Sequence, residues 1–187
     1  AGTDCIIDVN VIFEGTVELG NNVKIGANSI LRNTKIDDNS EILPFSHIDS
    51  SQIGKGCFIG PYARLREGSQ IADGARIGNF VETKKTKIGQ STKANHFTYL
   101  GDAEIGNDVN IGAGTITCNY DGKNKNKTRI GDNSFIGTNS SLVAPVDIGK
   151  NTYVGAGSTI TKDIPDNSLG ISRSKQKNVQ DWPKKKK

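Results

Sequence analysis

Large apolar side chains are scarce in this chain, and their scarcity excludes most compact folds. Methionine is absent, tryptophan occurs once, aromatic residues make up 6% and apolar residues 34% of 187 positions. The ordinary apolar share, glycine included, is ~45–50%. A wide core cannot be filled from this stock, but a narrow one needing a few Ile, Val or Leu per layer can, so the composition favours a solenoid. No run approaches the ~20 apolar residues of a membrane-spanning helix, and the first residues do not resemble a signal peptide. Cys5, Cys57 and Cys118 lack CxxC spacing, and three cysteines cannot all pair, so free thiols in the cytoplasm are expected. His47 and His96 are the only histidines, too few for a three-histidine zinc site. The formal charge is +4, and Lys184 to Lys187 supply four positive charges that read as a solvated tail. Without a basic stripe interleaved with aromatics, no nucleic-acid partner is expected.

What the chain has in abundance is a six-residue rhythm. Ile-Gly recurs at 25, 53, 59, 77, 88, 105, 111, 130, 136 and 148, and Leu19-Gly20, Leu100-Gly101 and Val154-Gly155 belong to the same set. A period of six suits neither a helix nor a simple strand alternation. It suits three short strands per coil, each followed by a tight corner, with one aliphatic side chain per strand pointing inward. Three sixes make a coil of 18, while Leu19 to Ile36 and Ile36 to Ile53 drop one residue at a corner. From Ile7 to Ile160 this gives about nine coils, stacked at the strand spacing of ~4.8 Å. The coil is expected over residues 4–163, with an extended tail over 164–187.

Function is sought where the rhythm breaks. The largest break separates Thr117 from Ile130, and its Asp121-Gly122 turn and alternating Lys and Asn place a basic loop over residues 118–129 outside the coil. A solvated loop and an arm binding an anionic ligand are both open readings. His96 lies in the most aromatic stretch of the repeat, and an imidazole is suited to take a proton from an attacking ammonium near neutral pH. His47 has no similar company and reads as structural. Leu65 and Thr83 are one coil of 18 apart, so Arg66 and Lys84, which follow them, are expected to stack on one face. Two adjacent cations are unfavourable unless an anion lies between them, and a phosphate would satisfy both. Tyr99 and His96, on the next coil, are expected to line the same face.

These residues sit within longer motifs. Arg64-Leu65-Arg66, Gly78-Asn79-Phe80-Val81-Glu82, the stretch from His96 to Asp102, the stretch from Asn110 to Gly122, Val143-Ala144-Pro145-Val146 and Ile171-Ser172-Arg173 occur in this order. Together they resemble the acetyltransferase half of the bifunctional N-acetylglucosamine-1-phosphate uridyltransferase/glucosamine-1-phosphate acetyltransferase family, from about residue 4 to the Lys-rich end. The resemblance implies an all-β, left-handed parallel β-helix. It implies acetyl-CoA-dependent N-acetylation of glucosamine-1-phosphate by direct transfer, ahead of UDP-N-acetylglucosamine formation for cell-wall and lipopolysaccharide synthesis. His96 resembles the general base. Arg66, Lys84, Tyr99, Asn110 and Lys125 resemble sugar-phosphate ligands, Lys125 from the loop of a neighbouring subunit. Ala113, Asn119, Tyr120, Thr138, Ala156 and Arg173 resemble acetyl-CoA contacts. A homotrimer with active sites between subunits is implied, with no metal for acetyl transfer. The uridyltransferase half, with its magnesium, is expected to be absent.

Some positions depart from the family pattern. Glu67 stands where a Pro is usual and puts a negative charge beside the expected phosphate site. Thr138 replaces a common Ser and Phe97 a common Leu. Cys118, beside Asn119, raises a covalent acetyl-cysteine route, which lacks an obvious base. An ice-binding solenoid would need a regular array of Thr on one face, whereas this face carries Arg, Lys, His and Tyr.

Overall fold

The computed structural model describes residues 1–182. The lysine run at 184–187, read above as a solvated tail, lies outside the described residues. The chain winds as a parallel β-solenoid of about ten turns with essentially no helix, the all-β architecture expected for a left-handed hexapeptide β-helix. No helix among the described residues is long and apolar enough to cross a membrane.

Each turn contributes to three faces. On face I, Lys24–Ile25, Glu41–Ile42, Phe58–Ile59 and the start of Arg76–Lys84 pair in succession. On face II the order is His47–Asp49, Arg64–Leu65, then Glu82-Thr83 and Tyr99-Leu100. On face III it is Gln52–Ile53, Gln70–Ile71, Lys87–Ile88 and Ala103–Ile105. In each segment the inward residue, aliphatic except at Thr83, is buried and its neighbour points out, which is the two-residue alternation of a strand. Ile25, Ile42, Ile59 and Ile77 form one such interior column, and Leu31, Ile48, Leu65 and Leu100 line another. Burying each side chain of this size is worth ~1.5–3 kcal/mol, so the few apolar residues present suffice.

The corners explain the polar remainder. Asn22, Asn39, Asn133 and Asn151 take positive φ, a conformation that Asn tolerates better than most residues. Asp38, Asp73, Asp132 and Asp166 each accept a backbone N–H from the coil before, at 2.7–2.9 Å. Ser40 and Thr92 are buried, and each hydroxyl donates to a carbonyl at 2.7 Å. Small polar residues thus satisfy the backbone exactly where the chain turns.

The coil continues past its expected end at Asp163. Ile164 is buried and bridges Ile148, while Leu169–Gly170 pairs with Tyr153–Val154. Gly170 takes the inward place opposite Val154, and a Cβ there would collide with Ile164, whose side chain fills that space. Because the aliphatic residue of this last coil sits one position out of register, the Ile-Gly rhythm does not reveal it.

Candidate active site

The corner between faces I and II carries one line of candidate residues. Asn79 and His96 are register partners, and the line continues through Ala113, Thr138 and Ala156 on successive coils. It is held by Gly114 N–H to Phe97 O at 2.8 Å, Asn139 N–H to Ala113 O at 2.7 Å and Gly157 N–H to Thr138 O at 2.8 Å. His96 is exposed, and its Nδ1–H donates to Asn79 Oδ1 at 3.0 Å. An amide oxygen only accepts, so in the neutral imidazole this bond selects the tautomer with its proton on Nδ1 and the lone pair on Nε2. The backbone N–H groups of Ala113, Thr138 and Ala156 donate to no acceptor among the described residues, which makes a row of free donors along the corner. Arg173 closes this line by donating from Nη1 to Ala156 O at 2.6 Å.

Face II carries the charged cluster. Arg66 directly follows the strand Arg64–Leu65 and lies beside Lys84 on the adjacent strand, with Arg66 N–H donating to Thr83 O at 2.9 Å. The anion expected between them is present as the protein's own carboxylates. Glu82 accepts from Arg66 Nη1 at 2.8 Å, while Glu67 lies 3.2 Å from Lys84 Nζ and 3.9 Å from Arg66 Nε. The Glu82 carboxylate, through its hydrogen bond, holds the Arg66 guanidinium above its ordinary pKa. Burial presses the Glu67 carboxyl upward, but the Lys84 ammonium, with Arg66 behind it, outweighs burial and holds it below its ordinary value. Tyr99 is the register partner of Glu82 and lies over Gly101, where a Cβ would collide with its hydroxyl.

The basic loop is a small hairpin. Tyr120 and Lys125 form an antiparallel bridge around the Asp121-Gly122 turn. Asp121 Oδ1 accepts the N–H groups of Lys123 at 2.8 Å and Asn124 at 2.6 Å, and Tyr120 donates its hydroxyl to Gly122 O at 2.7 Å. At the base, Asn119 is buried and donates to Asp102 Oδ2 at 2.5 Å. Lys125 forms no ion pair among the described residues, whereas Lys127 is held by Glu104 at 2.7 Å.

The candidates therefore form groups rather than one cluster. Arg66, Lys84 and Tyr99 share face II. His96 stands on the adjoining corner with Ala113, Thr138, Ala156 and Arg173. Asn119, Tyr120 and Lys125 belong to the hairpin after the opposite edge of face II. Asn110 pairs with Lys93 and Phe135 on face I, away from Tyr99. The expectation that His96 lines the same face as Lys84 and Tyr99 is corrected accordingly: left-handed backbone at Phe97 (φ 44) turns the chain between them. Sequence reasoning gave no role to Asn79, Glu82 or Asp102. The available signal was spacing, since Asn79 precedes His96, and Asp102 precedes Asn119, by one 17-residue coil. Cys118 has only a 3.9 Å contact to Ile116 O and no base beside it among the described residues. No group of three or more His, Cys, Asp or Glu among the described residues is placed to hold a metal.

Comparison with known proteins follows the same lines. The pattern of the family described as Bacterial transferase hexapeptide (six repeats) matches residues 50–85 and 127–162. The chain is 56% identical over 181 residues to the bifunctional protein GlmU of Acidithiobacillus ferrooxidans, covering 97% of this chain and 40% of that protein. Against GlmU of Pseudoalteromonas atlantica the identity is 57% over 181 residues, with the same coverage. The chain thus spans about 40% of the length of the curated relatives it matches. Among solved structures, a perosamine N-acetyltransferase variant from Caulobacter crescentus is similar over 71% of this chain and 53% of that one, at 22% identity and a TM-score of 0.48. LpxA, a UDP-N-acetylglucosamine acyltransferase from Bacteroides fragilis, is similar over 88% of this chain and 68% of that one, at 21% identity and a TM-score of 0.49. On the strength of the close relatives and the repeat, the chain belongs to the hexapeptide-repeat transferases, in the form that the GlmU proteins carry over about 40% of their length.

Proposed function

We propose that this chain transfers the acetyl group of acetyl-CoA to the amine of glucosamine-1-phosphate. The observation that carries the reading is the His96–Asn79 pair, which occupies Nδ1 and leaves Nε2 unengaged among the described residues, at the junction of the Arg66/Lys84 face and the row of free backbone N–H groups. Arg66 and Lys84 bind the phosphate, Tyr99 and Asn110 the sugar. The free N–H groups of Ala113, Thr138 and Ala156 hold the extended amide-bearing arm of CoA, with Asn119, Tyr120 and Arg173 beside them.

The reaction is direct transfer. His96 Nε2 takes a proton from the substrate ammonium, and the freed amine attacks the thioester carbonyl. Backbone donors at the corner stabilise the developing oxyanion. The C–S bond then breaks as the C–N bond is completed; of the two protons that the substrate nitrogen loses, one passes from the imidazolium to the departing CoA thiolate and the other is released to solvent. A thioester is activated enough to need no metal, and Cys118 takes no part.

The site is completed between copies of the chain, as a homotrimer. On one prism Asn110 lies on face I and Lys125 in the hairpin, neither on the corner line that carries His96. Beside His96, Phe45, Tyr62 and Phe80 form an exposed stack with ring centroids 5.0 and 5.4 Å apart. Such an apolar edge suits a partner surface. The free thiols fit the cytoplasm.

The test is thiol release from acetyl-CoA with glucosamine-1-phosphate, glucosamine-6-phosphate, glucosamine and serine as acceptors. Release well above background with glucosamine-1-phosphate, and much less with the others, is expected. Equal rates for all acceptors, or release with serine alone, would remove the substrate assignment.

A further inference from the structure

The anion site on face II is already filled by the protein. Arg66 and Lys84 contribute two positive charges, and Glu67 and Glu82 return two negative ones, so these four groups balance one another before any ligand arrives. The two carboxylates are held differently. Glu82 lies within a strand between Arg64 and Tyr99 and meets Arg66 Nη1 at 2.8 Å, with both side chains about one-third exposed at 32%. Glu67 stands at the corner where face II ends, is 47% exposed, and makes longer contacts of 3.2 and 3.9 Å. Its backbone is pinned by Lys85 N–H to Glu67 O at 3.0 Å, so only the side chain is free to move. Lys84 is 15% exposed, and Glu67 is its one ion-pair partner among the described residues. The carboxylate therefore occupies the place at Lys84 that a phosphate oxygen would take.

Next to it lies room for departure. Glu67 lines a cleft with His47, Asp49, Arg64 and Arg66. The Arg64 guanidinium in that cleft is exposed and joins no ion pair among the described residues, so it is available to receive a displaced carboxylate.

Resting on the acetyltransferase reading above, we infer that Glu67 is a displaceable internal counterion that makes the site select a dianionic phosphate. A dianion brings two charges to Arg66 and Lys84 and outcompetes a single tethered carboxylate. A monoanion offers too little to expel it and a neutral sugar does not compete for the two cations, so Glu67 shields them from weaker anions while weakening the binding of the phosphorylated sugar. Glu82 stays, because it lies within a strand and is held by Arg66 at 2.8 Å, whereas the departure of Glu67 from its longer contacts removes one of the negative charges that would crowd the phosphate.

The test compares the wild type with Glu67→Gln, which keeps shape and removes charge, and with Glu67→Ala as a second variant. Inorganic phosphate is titrated into the full chain at pH 8, following the Lys84 amide resonance, independently of catalysis. The Gln variant is expected to bind phosphate about three- to tenfold tighter, the factor that corresponds to one or two weak ion pairs no longer in competition. The KM for glucosamine-1-phosphate should fall by the same factor, with kcat, the KM for acetyl-CoA and the KM for unphosphorylated glucosamine within about twofold of wild type. A purely structural role for Glu67 would not produce that split. Phosphate affinity in both variants equal to or weaker than in the wild type would overturn the inference. Absence of acetyl transfer by the wild type would remove the functional reading instead, and the phosphate titration would still decide the role of Glu67.

Discussion

At the scale of single residues, chemistry here is set by which neighbour a coil places one step away. Asn79 is the clearest case. Its side-chain oxygen fixes the proton on His96 Nδ1, so Asn79→Leu should leave the imidazole present but free to adopt the wrong tautomer. We expect kcat to fall at least about tenfold, with both KM values within a few-fold, measured by steady-state thiol release. Cys57 is the inert counterpart. It is buried, and burial pushes its thiol up to about 11, so at pH 8 almost none is thiolate. Iodoacetamide should label Cys5 and Cys118 in the folded protein, and Cys57 only after unfolding; mass spectrometry decides this. His96, Arg66 and Lys84 were legible as residue types in a broken pattern. Their partners were not, because Glu67 and Glu82 read as ordinary surface carboxylates until side-chain directions are known.

At the scale of elements, the hairpin at residues 119–127 is built on Asp121. The N–H groups of Asn124 and Lys123 hold its carboxyl below the ordinary aspartate value. The sign follows: with the folded pKa lowered, the stabilising effect on the turn is complete above the ordinary value of ~3.9 and is lost as pH falls through the depressed value. The amide resonances of Lys123 and Asn124 should therefore titrate with a midpoint below ~3.9, and a midpoint at or above it would contradict the turn. At neutral pH, Asp121→Ala should be nicked by trypsin at Lys123 or Lys125 several times faster than wild type, since the turn loses the acceptor of two backbone N–H groups. The loop itself was evident from thirteen residues where six were expected. Its hairpin closure depends on the Tyr120 hydroxyl and the buried Asn119–Asp102 bond, neither of which a period can announce.

At the scale of the whole molecule, stability is a stack of near-identical layers, each touching only its neighbours. Ile77 is fully buried in the face I column, and Ile77→Ala should cost ~2–5 kcal/mol by leaving a cavity in a core with no spare side chains. Denaturant titration should show this as a lower midpoint, and possession of a second, early transition would locate the weakened layer. The architecture was the most legible feature of all, because the Ile-Gly rhythm encodes burial and corner at once. The final coil was hidden because Gly170 holds the inward place and Ile164 reaches over to fill it. The distribution of site residues over faces was hidden for a related reason: spacing gives the coil on which a residue sits, while the turn at Phe97 decides which face it joins.

On the function proposed above, the prism corner bearing His96 is where an amine loses its proton and meets a thioester. The most direct measurement is the turnover number of His96→Ala with saturating acetyl-CoA and glucosamine-1-phosphate, on protein shown by circular dichroism to keep its β-structure. A base at this corner requires a kcat lower by about a hundredfold or more, with both substrates still bound. A kcat within twofold of wild type would contradict it.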